Sequence, residues 1–449
     1  MSDTNSLQAR ALDLALKAKA ASRIVSAVSS GTRTQALLRL VGELESKAFA
    51  EELKAANDAD VADARANGQT AALVDRLVLD APRLTSLTKS VRDIAWQDDP
   101  IGEVVAEGAG PSGIKIKRVR APLGTILMIY EARPNVTVDA AALCLRSGNA
   151  VLLRGGSEAR RSNEVLVNAL RRSLVHVGLP EDCVQLVPAD RALLEPLLAL
   201  EEHIDLCIPR GGQSLIRFIA EKSRIPVIKH YQGVCHLYVA GDADLPLAEK
   251  LLLNGKAQRP GVCNAVECVL VDASIANDAI SGFAQSLSAA GVELRCDPRA
   301  LPLAIEGVAH ASEIPDDVLR AAGTKRAEKP GQAIAAVEAD YGTEFLDYKL
   351  LVCVVDGIDA ALTHIAKFGS KHTESICTKN DALADRFTRE VDASCTLVNA
   401  SSRFNDGAEL GLGAEIGIST SKLHAYGPMG ARELTCTRFV VRGAGQVRT

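Results

Sequence analysis

The sequence predicts an α/β fold built on parallel sheet and divided into two or three domains, and its patterning and length predict it. From Gly124 onward, short continuous apolar runs end in glycine, proline or a polar loop, each followed by a helical stretch. Strands that are apolar on both faces and alternate with helices belong in a parallel sheet covered on both sides. The alternation resumes near Leu251, and 449 residues are more than one hydrophobic core usually holds.

The elements follow in order. The first hundred residues are rich in Ala and Leu and read as helices. Thr32 with Gln35 makes a weak capping box that opens an amphipathic stretch, with Leu37, Leu40, Val41, Leu44 and Ala48 at helical spacing. A break from Gly108 to Gly113 precedes Ile114-Lys-Ile-Lys-Arg-Val119, which alternates at its start as a two-faced strand does. Buried strands are expected at Gly124–Tyr130, Ala150–Arg154 and Ile204–Pro209, the last two leading into Gly155-Gly156 and Gly211-Gly212. In the second α/β stretch, Val266–Val271 and Leu350–Val355 read the same way.

Composition excludes several function classes. The 51 basic and 56 acidic residues leave a formal charge of −5, and the cations are scattered without interleaved aromatics, so neither nucleic acid nor a membrane is an expected partner. There is no basic N-terminal stretch followed by an apolar one and no apolar run near 18 residues, so a cytoplasmic location is expected. The 11 cysteines lack CxxC or Cys/His ligand spacing, so a reducing compartment is expected and a zinc or other metal site is not.

One cysteine stands apart. In Gln258-Arg-Pro-Gly-Val-Cys263-Asn-Ala-Val-Glu267 a Pro-Gly turn precedes Cys263, an apolar run follows it, and Lys256 and Arg259 place positive charge nearby. A turn exposes the sulfur and cations favour the thiolate, the setting of a nucleophile. The bland alternative is one more buried cysteine, as expected for Cys207 and Cys353 inside apolar runs. Cys268, within the strand-like run, reads as structural.

No GxGxxG or GxxxxGK[ST] fingerprint is present. Arg154-Gly-Gly-Ser157 and Arg210-Gly-Gly-Gln213 each join an apolar strand to a helical stretch and could hold phosphate, by close backbone approach, free helix N–H groups and an arginine. Each is also an ordinary tight turn.

The segment around Cys263 resembles the nucleophile loop of the gamma-glutamyl phosphate reductase family, within the aldehyde dehydrogenase superfamily. So do Val355 with Ala361-Leu-Thr-His364-Ile-Ala-Lys-Phe368-Gly-Ser-Lys-His372-Thr-Glu374-Ser-Ile376, Tyr130-Glu-Ala-Arg-Pro-Asn135-Val-Thr137, Ser147–Ser157 and Ser421–Gly430. The likeness runs from about residue 8 to about 445. It implies an aldehyde dehydrogenase-like α/β architecture of two parallel-sheet domains plus a small β-strand oligomerisation arm. The nucleotide-binding domain would take 1–111 and 123–250, with a return segment near 390–430. The catalytic domain carrying Cys263 would take 251–389, and the arm 112–122 and 431–449.

The resemblance also implies NADPH-dependent reduction of L-glutamyl 5-phosphate to L-glutamate 5-semialdehyde through a thioacyl group on Cys263, the second step of proline biosynthesis from glutamate. The backbone N–H groups of Cys263 and Asn264 would hold the oxyanion, with Asn135 as a side-chain partner. Arg154 stands where the superfamily's cofactor-ribose lysine stands. Ser157 replaces the glutamate of many NAD-preferring relatives, which favours NADP(H). Gly211 and Gly212 join the cofactor set. So do Glu344 and Phe345, which resemble a Glu-x-Phe segment shortened by one residue. Arg133, Lys256, Arg259 and His372 are the candidates for binding the substrate's charges.

Hydrolytic relatives carry a glutamate general base upstream of the cysteine, whereas His230 stands about there. An enzyme that reduces its thioester has no use for activated water. A hydrolytic or CoA-dependent aldehyde dehydrogenase is the rival enzyme reading, and a thiol-bearing scaffold or redox sensor the non-enzyme one. A homodimer or larger homo-oligomer is expected, because exposed apolar strands need a partner. Association with glutamate 5-kinase is a partner the resemblance allows.

Overall fold

The computed structural model describes residues 2–229 and 231–448. They form two compact units, 1–229 with 411–449, and 230–410. No helix among the described residues is long and apolar enough to cross a membrane.

The first unit opens with five helices, of which Ser30–Leu44 shows how local sequence sets the bounds. Ser29 caps it by accepting from the Thr32 N–H at 3.1 Å, so the helix begins before the Thr32 expected to open it. Leu37, Leu40, Val41 and Leu44 are buried as their spacing requires. Ala48 is exposed, because Ser46 caps a new helix at Lys47–Ala66 and breaks the periodicity.

Strands β1 (Val104–Ala109) and β2 (Lys115–Pro122) pair as an antiparallel ladder. Then β3 (Thr125–Tyr130), β4 (Ala150–Arg154), β5 (Val184–Leu186) and β6 (Leu206–Arg210) form a parallel sheet in the order β5-β4-β3-β6. Every residue of β3 is buried. Ile126, Met128 and Tyr130 enter the core on one face, and Leu127 and Ile129 the core on the other, so period two divides one apolar strand between two helical layers. The chain runs from β3 outward to β5, then crosses back to place β6 on the other side of β3. That crossing makes a topological switch point, where open α/β sheets bind ligands beyond their strand ends.

The second unit holds β7 (Cys235–Val239), β8 (Val266–Asp272), β9 (Glu293–Cys296), β10 (Ala333–Ala335), β11 (Lys349–Val355), β12 (Thr373–Cys377) and β13 (Cys395–Val398). All are parallel, in the order β10-β9-β11-β8-β7-β12-β13. The division of the chain falls at 229/230, ahead of the expected 250, because β7 is hydrogen-bonded between β8 and β12. For the same reason β13, inside the expected return segment near 390–430, stays with this sheet.

The chain rejoins the first unit at 411. There β14 (Gly417–Ser419) and β15 (Gly427–Met429) pair antiparallel, and β16 (Thr435–Arg442) lies antiparallel along β2. The resulting three-stranded sheet, β1-β2-β16, adds β1 to the two segments expected in the arm.

Candidate active site

Cys263 lies half-buried in the turn between the helix Leu245–Ala257 and β8, and its thiol is free. The loop is held from below and from the side. Below it, a Cβ on Gly233 would stand 2.7 Å from the Cys263 carbonyl carbon and 2.8 Å from its Cα, so only glycine lets the two backbones lie this close. The Gly233 N–H donates to Glu344 Oε1 at 2.9 Å, and the Cys235 thiol donates to the Cys263 carbonyl at 3.2 Å. Burial pushes the Cys235 thiol well up, so it stays protonated as that donor requires. Burial also raises the Glu344 carboxyl, against the pull of the Gly233 N–H and the nearby His372.

From the side, Asn264 is buried and fully engaged. Its amide nitrogen donates to the Asn405 carbonyl at 3.0 Å, its amide oxygen accepts from Arg403, and its carbonyl accepts from Ser402 at 2.6 Å. The Asn264 side chain is thus a brace, and its backbone N–H remains the group available to an oxyanion. Among the described residues, the N–H groups of Cys263 and Asn264 have no protein acceptor. Arg403 spans the loop by also donating to Gln258 Oε1 at 2.9 Å. Burial lowers its pKa, Arg259 adds to the lowering, and Asp406 and Cys263 oppose it.

Two expected substrate cations lie elsewhere than that role needs. Lys256 is fully buried and ion-paired to Glu267 at 2.6 Å, because it projects from the inner face of its helix toward β8. Burial lowers the Lys256 ammonium and lifts the Glu267 carboxyl to about 7, since both charged forms lose water. Glu267 also accepts from the Leu346 N–H at 3.2 Å, linking the pair to the Glu344–Phe345 segment. His372 is likewise fully buried, with Nδ1 2.7 Å from Thr373 Oγ1 and 3.8 Å from Cys235 Sγ. Arg259 is exposed beside Arg403, and Phe345 packs on the core under β8 and β11. His230 lies outside the described residues.

In the first unit, the expected cofactor residues gather at the carboxyl ends of the parallel strands. Arg154 ends β4, is almost fully buried, and donates from Nη2 to the Ala189 carbonyl at 2.9 Å. Its Nε has no hydrogen-bond partner. Burial lowers its pKa and the like charge of Arg191 adds to this. Ser157 opens the short helical turn after Gly155-Gly156, and a Cβ on Gly155 would collide with the Asn163 amide. Across the switch point, Gly211 and Gly212 follow β6, and the Gly212 N–H donates to Glu131 Oε2 at 3.0 Å. That second junction already holds an anion, the Glu131 carboxylate, at the head of the helix Gln213–Lys222. Arg133 stands at the N-cap position of the helix Pro134–Arg146, and Asn135 in its first turn donates to Asp139 Oδ2 at 3.1 Å.

Sequence reasoning missed Gly233, Cys235, Glu267, Arg403, Arg191 and Glu131. Only Arg403 left a signal, as a cation in the Ser/Asn-rich loop after an apolar strand. The others act through contacts between distant segments, which spacing does not show.

The profile of the aldehyde dehydrogenase family matches residues 3–301. The chain is 51% identical to the gamma-glutamyl phosphate reductase of Salinibacter ruber, across 100% of this chain and 97% of that one. It is 52% identical to the enzyme of the same name from Anaeromyxobacter sp. strain K, across 92% and 91%. The crystal structure of gamma-glutamyl phosphate reductase from Thermotoga maritima matches with a TM-score of 0.87 at 38% identity, covering 98% of this chain and 100% of that one. An acetylating aldehyde dehydrogenase from Geobacillus thermoglucosidasius, at 15% identity and a TM-score of 0.67 over 99% of both chains, shares the fold. A nucleophile loop clamped on both flanks, strand ends laid out at a switch point, and these likenesses lead to one conclusion: the chain belongs to the aldehyde dehydrogenase family and, within it, to the gamma-glutamyl phosphate reductases.

Proposed function

We propose that this chain reduces L-glutamyl 5-phosphate to L-glutamate 5-semialdehyde with release of phosphate, using NADPH and carrying the acyl group on Cys263. The observation that carries the reading is the Cys263 loop: a half-buried thiol on a backbone held by Gly233, Cys235 and the Asn264–Arg403 brace. A nucleophile must be fixed yet reachable, and this loop meets both needs. The Cys263 thiolate attacks the acyl carbon, the bond to the phosphate oxygen breaks, and a thioester forms. The Cys263 and Asn264 N–H groups take the developing negative charge on the acyl oxygen. After reduction the carbon–sulfur bond breaks, freeing the aldehyde and returning the thiolate.

Family membership makes the cofactor a nicotinamide dinucleotide. The β4 junction fits such a group, because the buried Arg154 Nε at its strand end has no protein partner. When bound, the reduced nicotinamide supplies hydride. Arg154 with Arg191 offers positive charge, and Ser157 offers a hydroxyl, to the 2′-phosphate that distinguishes NADP from NAD. Gly212 contributes less, because Glu131 already accepts its N–H. Glu344 holds the nucleophile loop through Gly233, and Lys256–Glu267 supports the same segment from inside. Exposed Arg259 and half-buried Arg403 are the cations that meet the substrate's anionic groups. The chain works in the cytoplasm as a homo-oligomer built through its arm sheet.

Cys263→Ala tests the reading. NADPH should still bind, measured by its fluorescence, while reduction falls by about 10³-fold or more. Retained turnover would overturn the assignment. The hydrolytic rival is separated by running the reaction backward: semialdehyde oxidation should require phosphate and yield acyl phosphate, never free glutamate.

A further inference from the structure

We propose that His236, Cys268 and His364 form a binding site for a zinc-class divalent cation. His236 on β7 and Cys268 on β8 are paired neighbours in the parallel ladder, so their side chains leave the same face of the sheet. The helix Gly357–Phe368 covers that face and brings His364 over both. The three donor atoms all lie within 4.8 Å of one another, and among the described residues no other such group occurs.

The geometry suits a shared ion. Cys268 Sγ lies 3.7 Å from His364 Nε2. A tetrahedral ion with zinc's bond lengths would hold a sulfur and a nitrogen about 3.6 Å apart. The two imidazole rings are 5.4 Å apart between centres and inclined at 78°. Two rings bound through Nε2 to one such ion would sit about 5 Å apart.

The orientation of His236 is the second, independent observation. Its Nδ1 is 2.9 Å from Glu374 Oε2, and in the tautomer with its proton on Nδ1 it donates to that carboxyl group. The lone pair then sits on Nε2, which is fully buried and has no hydrogen-bond partner. A carboxylate behind a histidine whose other nitrogen is bare is the arrangement that orients and strengthens a metal-ligating imidazole. Two imidazoles and a thiolate select zinc-class ions over the oxygen-seeking calcium and magnesium. On binding, the Cys268 S–H bond breaks, its proton goes to solvent, and the sulfur–metal bond replaces the S–H···N contact with His364. Sequence spacing could not reveal this site, since its ligands come from two strands and a helix far apart in the chain.

Occupancy would reach the nucleophile loop. His236 follows Cys235, whose thiol holds the Cys263 carbonyl, so an ion on His236 stiffens the floor beneath Cys263.

The test uses the full-length Cys263→Ser protein, which removes the competing catalytic thiolate, stripped with a chelator and checked by circular dichroism. Equilibrium dialysis should find one Zn²⁺ per chain, and Co²⁺ should give a thiolate-to-cobalt charge-transfer band. Cys268→Ser should abolish the band, and Glu374→Gln should weaken binding by about 10- to 100-fold. His364→Gln, on a half-buried helix face, is the second ligand variant should Cys268→Ser misfold; it should also lose the ion. Binding confined to protein with Cys263 intact, unchanged binding in either folded ligand variant, or no binding at all would each overturn the proposal. The last result would leave a dry Glu374–His236 pair beside a Cys268–His364 hydrogen bond.

Discussion

Where Cys263 stands is set by a residue with no side chain. Gly233 leaves room for the backbone of the nucleophile loop, and an added Cβ would meet main-chain atoms that cannot rotate away. Gly233→Ala should therefore displace the loop. We expect kcat to fall by about 10²-fold, the scale of an ångström's misplacement, with NADPH affinity unchanged. Steady-state kinetics and cofactor titration check this; a variant with wild-type kcat would show that the close approach is incidental. Cys263 itself was legible in the sequence because exposure and nearby charge are local properties, written in Arg259-Pro-Gly-Val-Cys263. Gly233 was not, since its partner is thirty residues away. Lys256 misled for the complementary reason: its charge is visible in sequence, but Glu267, which takes it up inside the core, becomes its neighbour only after folding.

At the level of elements, the helix Pro134–Arg146 shows burial acting on a charge. Asp139 accepts from Ser90 at 3.1 Å and from Asn135, yet burial dominates and lifts its carboxyl from 3.8 to about 6. A carboxyl whose pKa is raised by folding stabilises the fold while protonated. That contribution is present below about pH 4 and is lost as the pH rises through about 6. Asp139→Asn carries no such titration. Its thermal midpoint relative to the parent protein should rise between about pH 4 and about pH 7. A constant difference across that range would refute the assignment. Strand prediction succeeded where runs were apolar on both faces, as in β3 and β11. It failed for β1, whose six residues are all exposed and carry no alternation to read. The boundary near 230 was hidden too, because β7 looks like any other buried strand until its ladder partners are known.

At the scale of the whole molecule, the arm sheet presents an edge strand with exposed apolar side chains. Phe439 is 69% exposed and Val441 54%, and both lie on β16, an edge strand. Edges of this kind pair or aggregate. Phe439→Glu should shift the protein toward monomer in sedimentation velocity, with the two compact units still folded by circular dichroism. An unchanged assembly would place the interface elsewhere. The same sheet has a history as well as a surface. β2 takes its second partner, β16, from more than three hundred residues downstream; Arg118 and Thr437, bonded across that ladder, are 319 positions apart. At about 5–20 residues per second of synthesis, the ribosome needs roughly 15–65 s to deliver the partner. Residues 230–410 form an uninterrupted unit that can complete itself in that interval. The first unit cannot, so the nascent chain emerges with β2 covered on one side by β1 and open on the other. That edge of β2 stays without its ladder partner until β16 has been made.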